Sequence, residues 1–496
     1  MRNLDPRLPV IIGTGQVNRR VDRGETPLEP VDLIAEALDR AGADTGTGGV
    51  LAGADAIRVV DLLSWRYRNA AALVADRIGA DPKETAVSTT GGNSPQMLVN
   101  LTCLDIQAGR ADLVLIGGAE AWRTRSAYRA GNERPPWTKQ EDDVAPATVI
   151  GSETPMFSPG EISRGVVMPV QHYPMFENAL RHHLGRGIDE HLVAISELWS
   201  GFSEVAATNP NAWIQRSYTP VEIRTPGPSN RMVGFPYPKL MNSNNAVEQG
   251  AALIVCSVER ARALGVPSDR WVFPHAGTDA HDTPFVSNRV DLHSSPAMRV
   301  AGRAALELAG VGVDDLAHVD VYSCFPSAVQ VAVAELGLSP SRPLTLTGGL
   351  SFAGGPWNNY VTHAIATMVD TLRADPGATG LCTANGGFLT KHAFGVYSTE
   401  PPAGGFRHAA PQDEVDAAGR REACDEWDGP VEVESYTVMH GRDGEPENAV
   451  VAALLPDGRR TWGSSTDADV MTSMLSENTI SRAGHVSADG TFDLRG

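Results

Sequence analysis

Cysteine is scarce in this sequence, and its few copies are scattered. The five thiols form no C-x-x-C pair and stand at Cys103, Cys256, Cys324, Cys382 and Cys424. An odd number of widely spaced cysteines argues against a disulfide framework and against a zinc knuckle. We therefore expect buried core thiols, and a catalytic role has to be argued for each one separately.

Long apolar runs are missing too. The most apolar stretch, residues 251–256, falls far short of the roughly twenty residues that span a bilayer. Near the N-terminus, charge and proline arrive at Asp5 and Pro6, before an apolar signal-peptide segment could form. The sequence predicts no membrane span and a cytoplasmic protein.

Positive charge is in short supply. The chain has 41 Lys and Arg against 60 Asp and Glu, a formal net charge of -19. Binding to a phosphate backbone depends on Lys and Arg releasing counterions, so nucleic acid is a poor candidate ligand. Residues 401–496 hold 18 acidic and 8 basic residues, which marks this tail as a separate unit.

A weak internal repeat organises most of the 496 residues. A helical stretch from Pro30 and a strand near residues 57–63 recur as a stretch from Pro296 and a strand at 319–322. Each copy continues with a glycine-led helix, after 90–93 and after 353–356, and a strand ending in Gly-Gly. Such duplication indicates an α/β fold with a site between two similar halves.

Two further segments interrupt or follow this repeat. Residues 121–242 are rich in proline and tryptophan and are predicted to be an inserted loop subdomain. We assign 1–120 with 243–290 to the first half and 291–400 to the second. After a Pro/Gly linker, alternating residues near 431–438 and a Pro-Asp-Gly turn predict a small C-terminal β domain over 405–496.

The motifs resemble those of the thiolase superfamily. They are Ile106 to Glu120, ending in Gly-Gly-Ala-Glu, residues 238–252, the strand and turn 319–325, and the glycine pairs 348–349 and 354–355. The resemblance covers most of residues 5 to 400. It implies a duplicated thiolase fold with αβαβα layers and an inserted loop subdomain.

Thiolases use a nucleophilic Cys, an activating His, a second acid/base Cys and oxyanion donors. In the family's register the nucleophile falls at Gly92 and the His at Gly355, so both side chains are lost. Tyr322 takes the place of the Asn or His of the third motif and could donate to an oxyanion. Cys103 lies too far along the predicted helix to replace the nucleophile.

Two more residues are candidates for catalysis. Cys382 matches the acid/base Cys loosely, one or two positions early, with core filling as the alternative. His363 could supply a replacement base, with a structural histidine as the alternative. The spacing of His182, His183 and His191 fits no zinc site, and we predict no metal and no resident cofactor.

Backbone groups offer a ligand site that needs no catalytic side chain. Free N–H groups at the helix start 91–94, comprising Gly91, Gly92, Asn93 and Ser94, could hold an oxyanion. Gly354 and the pair Asn385–Gly386 complete the expected site. By resemblance, the ligand is a CoA thioester or a related small molecule.

The tail resembles the additional C-terminal domain of thiolase-like proteins of type 1, which lack the thiolase catalytic residues, and an OB-like fold is expected for it. The resemblance implies a protein of acyl-CoA or lipid metabolism, labelled acetyl-CoA acetyltransferase by similarity, without ordinary thiolysis. Two alternatives stay open: a thiolase-fold aldolase acting on a 3-hydroxyacyl thioester, and a non-catalytic scaffold. A homodimer is implied, unless the extra domain covers that surface and leaves a monomer.

Overall fold

The structure is a computed structural model and describes residues 4–20 and 26–495. Its strands are, in chain order, β1 (Pro9–Asn18), β2 (Ala56–Val59), β3 (Glu84–Ser88), β4 (Leu113–Ala121), β5 (Thr148–Ile150), β6 (Met232–Gly234), β7 (Tyr237–Pro238), β8 (Glu248–Ser257), β9 (Phe273–His281), β10 (His318–Asp320), β11 (Thr379–Gly386), β12 (Lys391–Ser398), β13 (Arg407–Ala409), β14 (Gly429–His440), β15 (Pro446–Leu454), β16 (Arg460–Ser465), β17 (Ala483–Val486) and β18 (Phe492–Leu494).

The α-helices vary from one turn to 21 residues. They are α1 (Pro30–Asp44), α2 (Ala70–Ile78), α3 (Ser94–Gln107), α4 (Trp122–Ala130), α5 (Pro159–Ser163), α6 (Pro169–His183), α7 (Ile188–Thr208), α8 (Pro220–Arg224), α9 (Val258–Ala263), α10 (Pro296–Ala309), α11 (Pro326–Leu336), α12 (Gly349–Phe352), α13 (Tyr360–Ala374), α14 (Gln412–Asp416) and α15 (Ala468–Ser476). No helix of the described ranges is both long and apolar enough to cross a membrane.

Two mixed sheets repeat one strand arrangement, which confirms the predicted duplication. The first sheet runs β1-β8-β4-β2-β3-β5 and the second β10-β11-β12-β9-β13. In each, an antiparallel trio continues into a parallel strand: β1, β8, β4 and β2 correspond to β9, β12, β11 and β10. The helix-strand order of the repeat explains why both copies fold alike.

The helices divide into outer and central layers. Helix α1 packs on β1, β8 and β4 outside the first sheet, while α10 covers β9 and β12 outside the second. Helices α3 and α13 contact strands of both sheets, so they form the middle layer. They are buried on most of their surface, which requires apolar or small residues on several faces of each. The result is the expected αβαβα stack.

The segment 121–242 contributes to the sheets on either side of it. Its strand β5 pairs with β3 and forms the edge of the first sheet. Its hairpin β6–β7 joins the third sheet through β14. Its longest helices, α6 and α7, pack against α11, and α6 also packs on β14. The predicted insertion is therefore a bridge between the thiolase-like body and the C-terminal strands.

The third, antiparallel sheet confirms the predicted C-terminal β domain. Its order is β16-β15-β14-β17-β18, with β6 beside β14. The fully buried Arg460 fixes the domain to the body: its guanidinium pairs with Glu434 at 2.5 Å and donates to the carbonyl oxygens of Val286, Ser287 and Arg289. The loop 282–295 is thus held from the C-terminal side.

Candidate functional site

Gly92 lies in the loop that leads into α3, where the middle helices meet the second sheet. A β-carbon placed on Gly92 would overlap the Tyr322 hydroxyl oxygen and lie 2.5 Å from the carbonyl oxygen of Asn385. β-Carbons essentially never approach other heavy atoms within 3.0 Å. A phenol and a backbone carbonyl therefore fill the space that the β-carbon of a nucleophilic side chain would need.

Tyr322 follows β10 and points its ring at this glycine. Its backbone N–H donates to the Thr383 hydroxyl at 2.9 Å, and its ring meets Tyr360 edge-on at 5.4 Å. Burial raises the pKa of the phenol well above its ordinary value. Among the described residues its hydroxyl finds no hydrogen-bond partner. Tyr322 therefore keeps its proton and remains a free donor beside Gly92.

The start of α3 carries further donors. Among the residues described, the backbone N–H groups of Gly92 and Asn93 reach no acceptor, while the Ser94 hydroxyl already donates to the Thr89 carbonyl at 2.7 Å. The Asn93 side-chain oxygen is buried without a partner between Gly91 and Gly386. This arrangement offers N–H groups to a carbonyl oxygen or oxyanion.

The second glycine-rich motif is less crowded. A β-carbon on Gly355 would lie 2.8 Å from the side-chain oxygen of Asn245, and its other neighbours stand at 3.4 Å or more. Gly354 has φ +113°, and a side chain there would overlap Gln249. Gly354 thus packs against β8 and offers no open contact to a ligand.

Neither nearby cysteine has the properties of an acid/base group. Cys382 is completely buried in β11, and burial raises its pKa well above the ordinary value. Cys324 lies near the Asn385 amide, whose nitrogen is 3.7 Å from its sulfur, and burial raises its pKa to about 12. Cys382 lies on the face of β11 that Gly386 presents to Asn93, but four residues earlier in the strand, where it is buried near Tyr397 in the core.

His363 is not brought to this group either. It lies in α13 with its Nδ1 2.9 Å from the Gln16 side-chain oxygen on β1, and burial lowers its pKa to about 3. The low pKa makes His363 a weak base, and its ring contacts the first sheet instead of the group beside Gly92. Its Nε2 has no partner among the described residues.

Lys391 is the residue at this site that the sequence analysis missed. Its ammonium donates to the Thr90 carbonyl at 2.5 Å and lies 3.2 Å from a β-carbon position on Gly91. Burial lowers the pKa of the Lys391 ammonium. Asp61 accepts a 2.6 Å hydrogen bond from the Thr90 hydroxyl, and burial raises the pKa of this carboxyl group. Register explains the placement, because Lys391 pairs with Gly386 in the β11–β12 ladder.

Free space beside Lys391 is minimal. The cavity beside Lys391 measures about 10 Å³, enough for no more than one water molecule. Its walls come from the inserted segment, as Pro155 and Met156, and from the turn that carries Phe388. Phe388 is itself fixed between His172 at 4.3 Å and Phe157 at 5.4 Å. These walls restrict the space on the Lys391 side of the site.

Known proteins share both the body and the tail of this chain. Residues 411–491 match the family model "Thiolase-like protein type 1 additional C-terminal domain". Over nearly its full length the chain is similar to a monomeric SCP2-thiolase like protein type 1 from Mycobacterium smegmatis. The two are 33% identical, the match covers 99% of this chain and 100% of that one, and the TM-score is 0.84. The chain belongs to the thiolase-like protein type 1 family.

Curated relatives of this family member are more distant. An acetyl-CoA acetyltransferase of Methanothermobacter thermautotrophicus is 24% identical over 70% of this chain and 86% of its own length. One from Methanocaldococcus jannaschii is 24% identical over 54% of this chain, and the match spans only 60% of that protein. The Ltp2-ChsH2(DUF35) aldolase shares the fold, with 19% identity, a TM-score of 0.60 and 79% of this chain covered.

The family assignment confirms both resemblances predicted from sequence, that of the body to thiolases and that of the tail to the type 1 domain. Within the described ranges, no three His, Cys, Asp or Glu side chains converge as metal ligands. The chemistry left at the site is that of hydrogen-bond donors, the Tyr322 hydroxyl and two N–H groups, and of one lysine.

Proposed function

We propose that this thiolase-like protein type 1 works in acyl-CoA metabolism by binding an acyl thioester without forming an acyl-enzyme. The observation that carries the proposal is the contact at Gly92: the hydroxyl of Tyr322 and the carbonyl of Asn385 occupy the place of a nucleophile. Loss of a covalent nucleophile removes orders of magnitude in rate.

The remaining donors fit a thioester carbonyl. The Tyr322 hydroxyl and the N–H groups of Gly92 and Asn93 are donors without an acceptor in the described part of the chain. In a buried place, a ligand carbonyl that accepts from them gains more free energy than it would at the surface. The human mitochondrial 3-ketoacyl-CoA thiolase, which shares the fold at a TM-score of 0.56, was solved in complex with CoA. The acyl-transferase names of the curated relatives point to the same ligand class.

The test compares acetyl-CoA with S-ethyl-CoA, a thioether that lacks the carbonyl oxygen. Intact-mass spectrometry should show no acetyl adduct on the protein, and thiolysis of acetoacetyl-CoA should stay at background. Calorimetric titration should show binding of acetyl-CoA. Tyr322→Phe should weaken acetyl-CoA binding roughly two- to tenfold, the value of one hydrogen bond, and leave S-ethyl-CoA unaffected.

Three results would count against this function. An acetyl adduct or thiolysis above background would contradict the loss of covalent chemistry. Absence of binding by every thioester would remove the ligand class. Equal effects of Tyr322→Phe on both CoA derivatives would place the ligand's carbonyl away from Gly92.

Lys391 favours a second candidate, a carbon–carbon lyase. In a retro-aldol cleavage, a neutral Lys391 amine would take the proton of the 3-hydroxyl group, and the bond between the α- and β-carbons would break. An aldehyde or ketone would leave, and the thioester enolate, held by Tyr322 and Gly92 N–H, would then be protonated. The lowered pKa of Lys391 suits a base, and the similarity in fold to an aldolase agrees with this candidate.

This candidate is decided by product release. A 3-hydroxyacyl-CoA should yield a carbonyl product detectable with a hydrazine reagent, and Lys391→Met should abolish it. Lys391→Arg is the matched control, because it keeps the positive charge but cannot serve as a base near neutral pH. A silent wild type with any 3-hydroxyacyl-CoA, or an active Lys391→Met, rules the lyase out.

We also propose that the protein is a monomer, as its relative from Mycobacterium smegmatis is described to be. Strand β5 pairs with β3 and so occupies the sheet edge that a partner would need. Analytical ultracentrifugation should give the mass of one 52.7 kDa chain. A dimer mass at micromolar concentration would contradict this.

A further inference from the structure

A wide cavity lies away from Gly92, at the junction between the body and the C-terminal side. It encloses about 630 Å³ and is lined by residues of two stretches, 281–299 before and within α10, and 415–420 at the end of α14 and after it. Cavities of a few hundred cubic ångströms at domain junctions are a common setting for small ligands.

The carboxylates in its wall already have donors. Asp282, Asp291 and Asp416 line the cavity, and all three accept hydrogen bonds from neighbouring protein groups. Asp282 accepts from the Ser295 hydroxyl and the Ala297 N–H. Asp291 accepts from the N–H and the hydroxyl of Ser294, and Asp416 accepts from the Gln412 side-chain amide. These acids are therefore partly compensated without any ligand.

The arginines in the wall have donors to spare. Arg420 is exposed at the cavity and makes no hydrogen bond or ion pair within the part of the chain that the structure describes. Arg299 uses one N–H on Glu335 at 2.8 Å, and its side chain is about half exposed. A guanidinium carries five N–H donors in a planar fork that fits two oxygens of one anion.

The rest of the wall is largely apolar. Val290, Val415, Pro284 and Ala418 contribute hydrocarbon surface, and Val290 is 44% exposed. A ligand with one anionic end and an apolar body would match both the unused guanidinium and this surface. A purely ionic ligand would leave the apolar side uncovered.

We infer that the junction cavity binds an amphiphilic organic anion, a carboxylate or phosphate ester with a hydrocarbon body, and that Arg420 holds the anionic group. Arg299 lies on the same wall and supplies a second positive charge. The site is separate from Gly92 and does not depend on the thioester proposal, since none of the groups named here lies beside Tyr322.

Three eight-carbon probes test this site on the full chain: octanoate, octyl phosphate and octanol. Calorimetric titration should show binding of at least one anion, while octanol, which has the same hydrocarbon body without charge, should bind much more weakly. Arg420→Ser should lower the anion's affinity roughly tenfold or more, as expected for a charge-assisted bond, and Arg420→Lys should recover part of it.

Arg134→Ser provides the matched control, because Arg134 is an exposed arginine of the inserted segment that does not line the cavity. It should bind the anion like the wild type. A preference for octyl phosphate would identify a phosphate ester, and a preference for octanoate a free acid. The inference is overturned if octanol binds as well as the anions, if none of the three binds, or if Arg420→Ser and Arg134→Ser behave alike.

Discussion

The cavity beside Lys391, close to Gly92, measures about 10 Å³, whereas the cavity at the junction with the C-terminal side measures about 630 Å³. Above Gly92 the space is filled by the Tyr322 hydroxyl and the Asn385 carbonyl, with the Lys391 ammonium nearby. The second is charged and open. The difference teaches that the position predicted for a nucleophile, Gly92, is closely packed, while residues of the additional domain border a wide concave surface.

The largest effect is expected from replacing Arg460, which joins the C-terminal domain to the body. Replacing it with Leu leaves Glu434 in a half-buried place without its partner and frees three carbonyls of the loop 286–289. We expect a loss of about 3–5 kcal/mol in the free energy of unfolding, typical of one partner removed from a buried pair. Urea denaturation measures it.

The matched control removes both charges together. Arg460→Leu with Glu434→Leu should lose less than the single variant, because no uncompensated carboxylate remains. A single variant within 1 kcal/mol of the wild type, on the order of experimental scatter for surface changes, would show that this ion pair does not hold the junction.

The packed region can be probed by adding one carbon at each lost position. Gly92→Ala should destabilise the protein by about 2–3 kcal/mol, since the new β-carbon meets a ring hydroxyl and a backbone carbonyl. Gly355→Ala should cost less, about 1 kcal/mol, because the Asn245 side chain can rotate away. Neither glycine has a positive φ, so the difference is steric.

A double variant checks the cause. Tyr322→Phe removes the overlapping oxygen and should recover part of the loss in Gly92→Ala, but the Asn385 carbonyl still blocks full recovery. Thermal unfolding of the four proteins measures this. Equal losses in Gly92→Ala and Gly355→Ala would mean that the first position is no more tightly packed than the second.

Acid should destabilise the protein through two buried histidines, His172 beside Phe388 and His363 against the first sheet. Burial lowers the pKa of His172 and of His363 to about 3, below the ordinary value of 6.5. Between these values the unfolded chain binds the proton and the folded chain does not. Stability is therefore full above pH 6.5 and falls below it, by about 1.4 kcal/mol per pH unit for each histidine.

The measurement is urea denaturation between pH 7 and pH 4 for the wild type and His363→Gln. The variant should show a shallower decline with falling pH, because one of the two groups no longer titrates. Identical slopes in the two proteins would mean that His363 takes up its proton in the folded state as readily as in the unfolded one.

Thiol labelling sharpens the comparison without perturbing stability. Cys424 is partly exposed on the C-terminal side, whereas the other four cysteines are buried. Since the thiolate is the reactive form, burial suppresses reaction at Cys324, whose pKa rises to about 12. Ellman's reagent should therefore modify one thiol in the native chain, and none in Cys424→Ser. Rapid native labelling of Cys324 would show that the region near Gly92 opens.

Much of the fold was predictable because it repeats. The glycine-led helices and the strands ending in Gly-Gly occur twice at matching places, and local periodicity is sufficient to identify such units. The assignment of the catalytic Cys and His positions to Gly92 and Gly355 rests on the motif register and stays a prediction. The bridging role of the inserted segment could not be predicted, because β5 and β6 are three-residue strands whose partners are distant in sequence.

The site itself depends on contacts that spacing does not encode. Tyr322 reaches Gly92 across some 230 residues of chain, and Lys391 reaches Gly91 only because the turn after Gly386 reverses direction, with Gly387 and Leu389 at positive φ. The Gly-Gly turn was a signal for that reversal. The sequence offers His363 as a replacement base, but α13 directs its ring toward β1.

The hairpin β6–β7 is synthesised long before the strand with which it pairs in the third sheet. Its partner strand β14 is synthesised roughly 200 residues later, which at ribosomal rates of about 5–20 residues per second is a delay on the order of 10–40 s. During that interval the hairpin has no neighbour in its own sheet. On a ribosome paused before β14, the two sheets of the body could therefore be complete while the hairpin β6–β7 still lacks its partner strand.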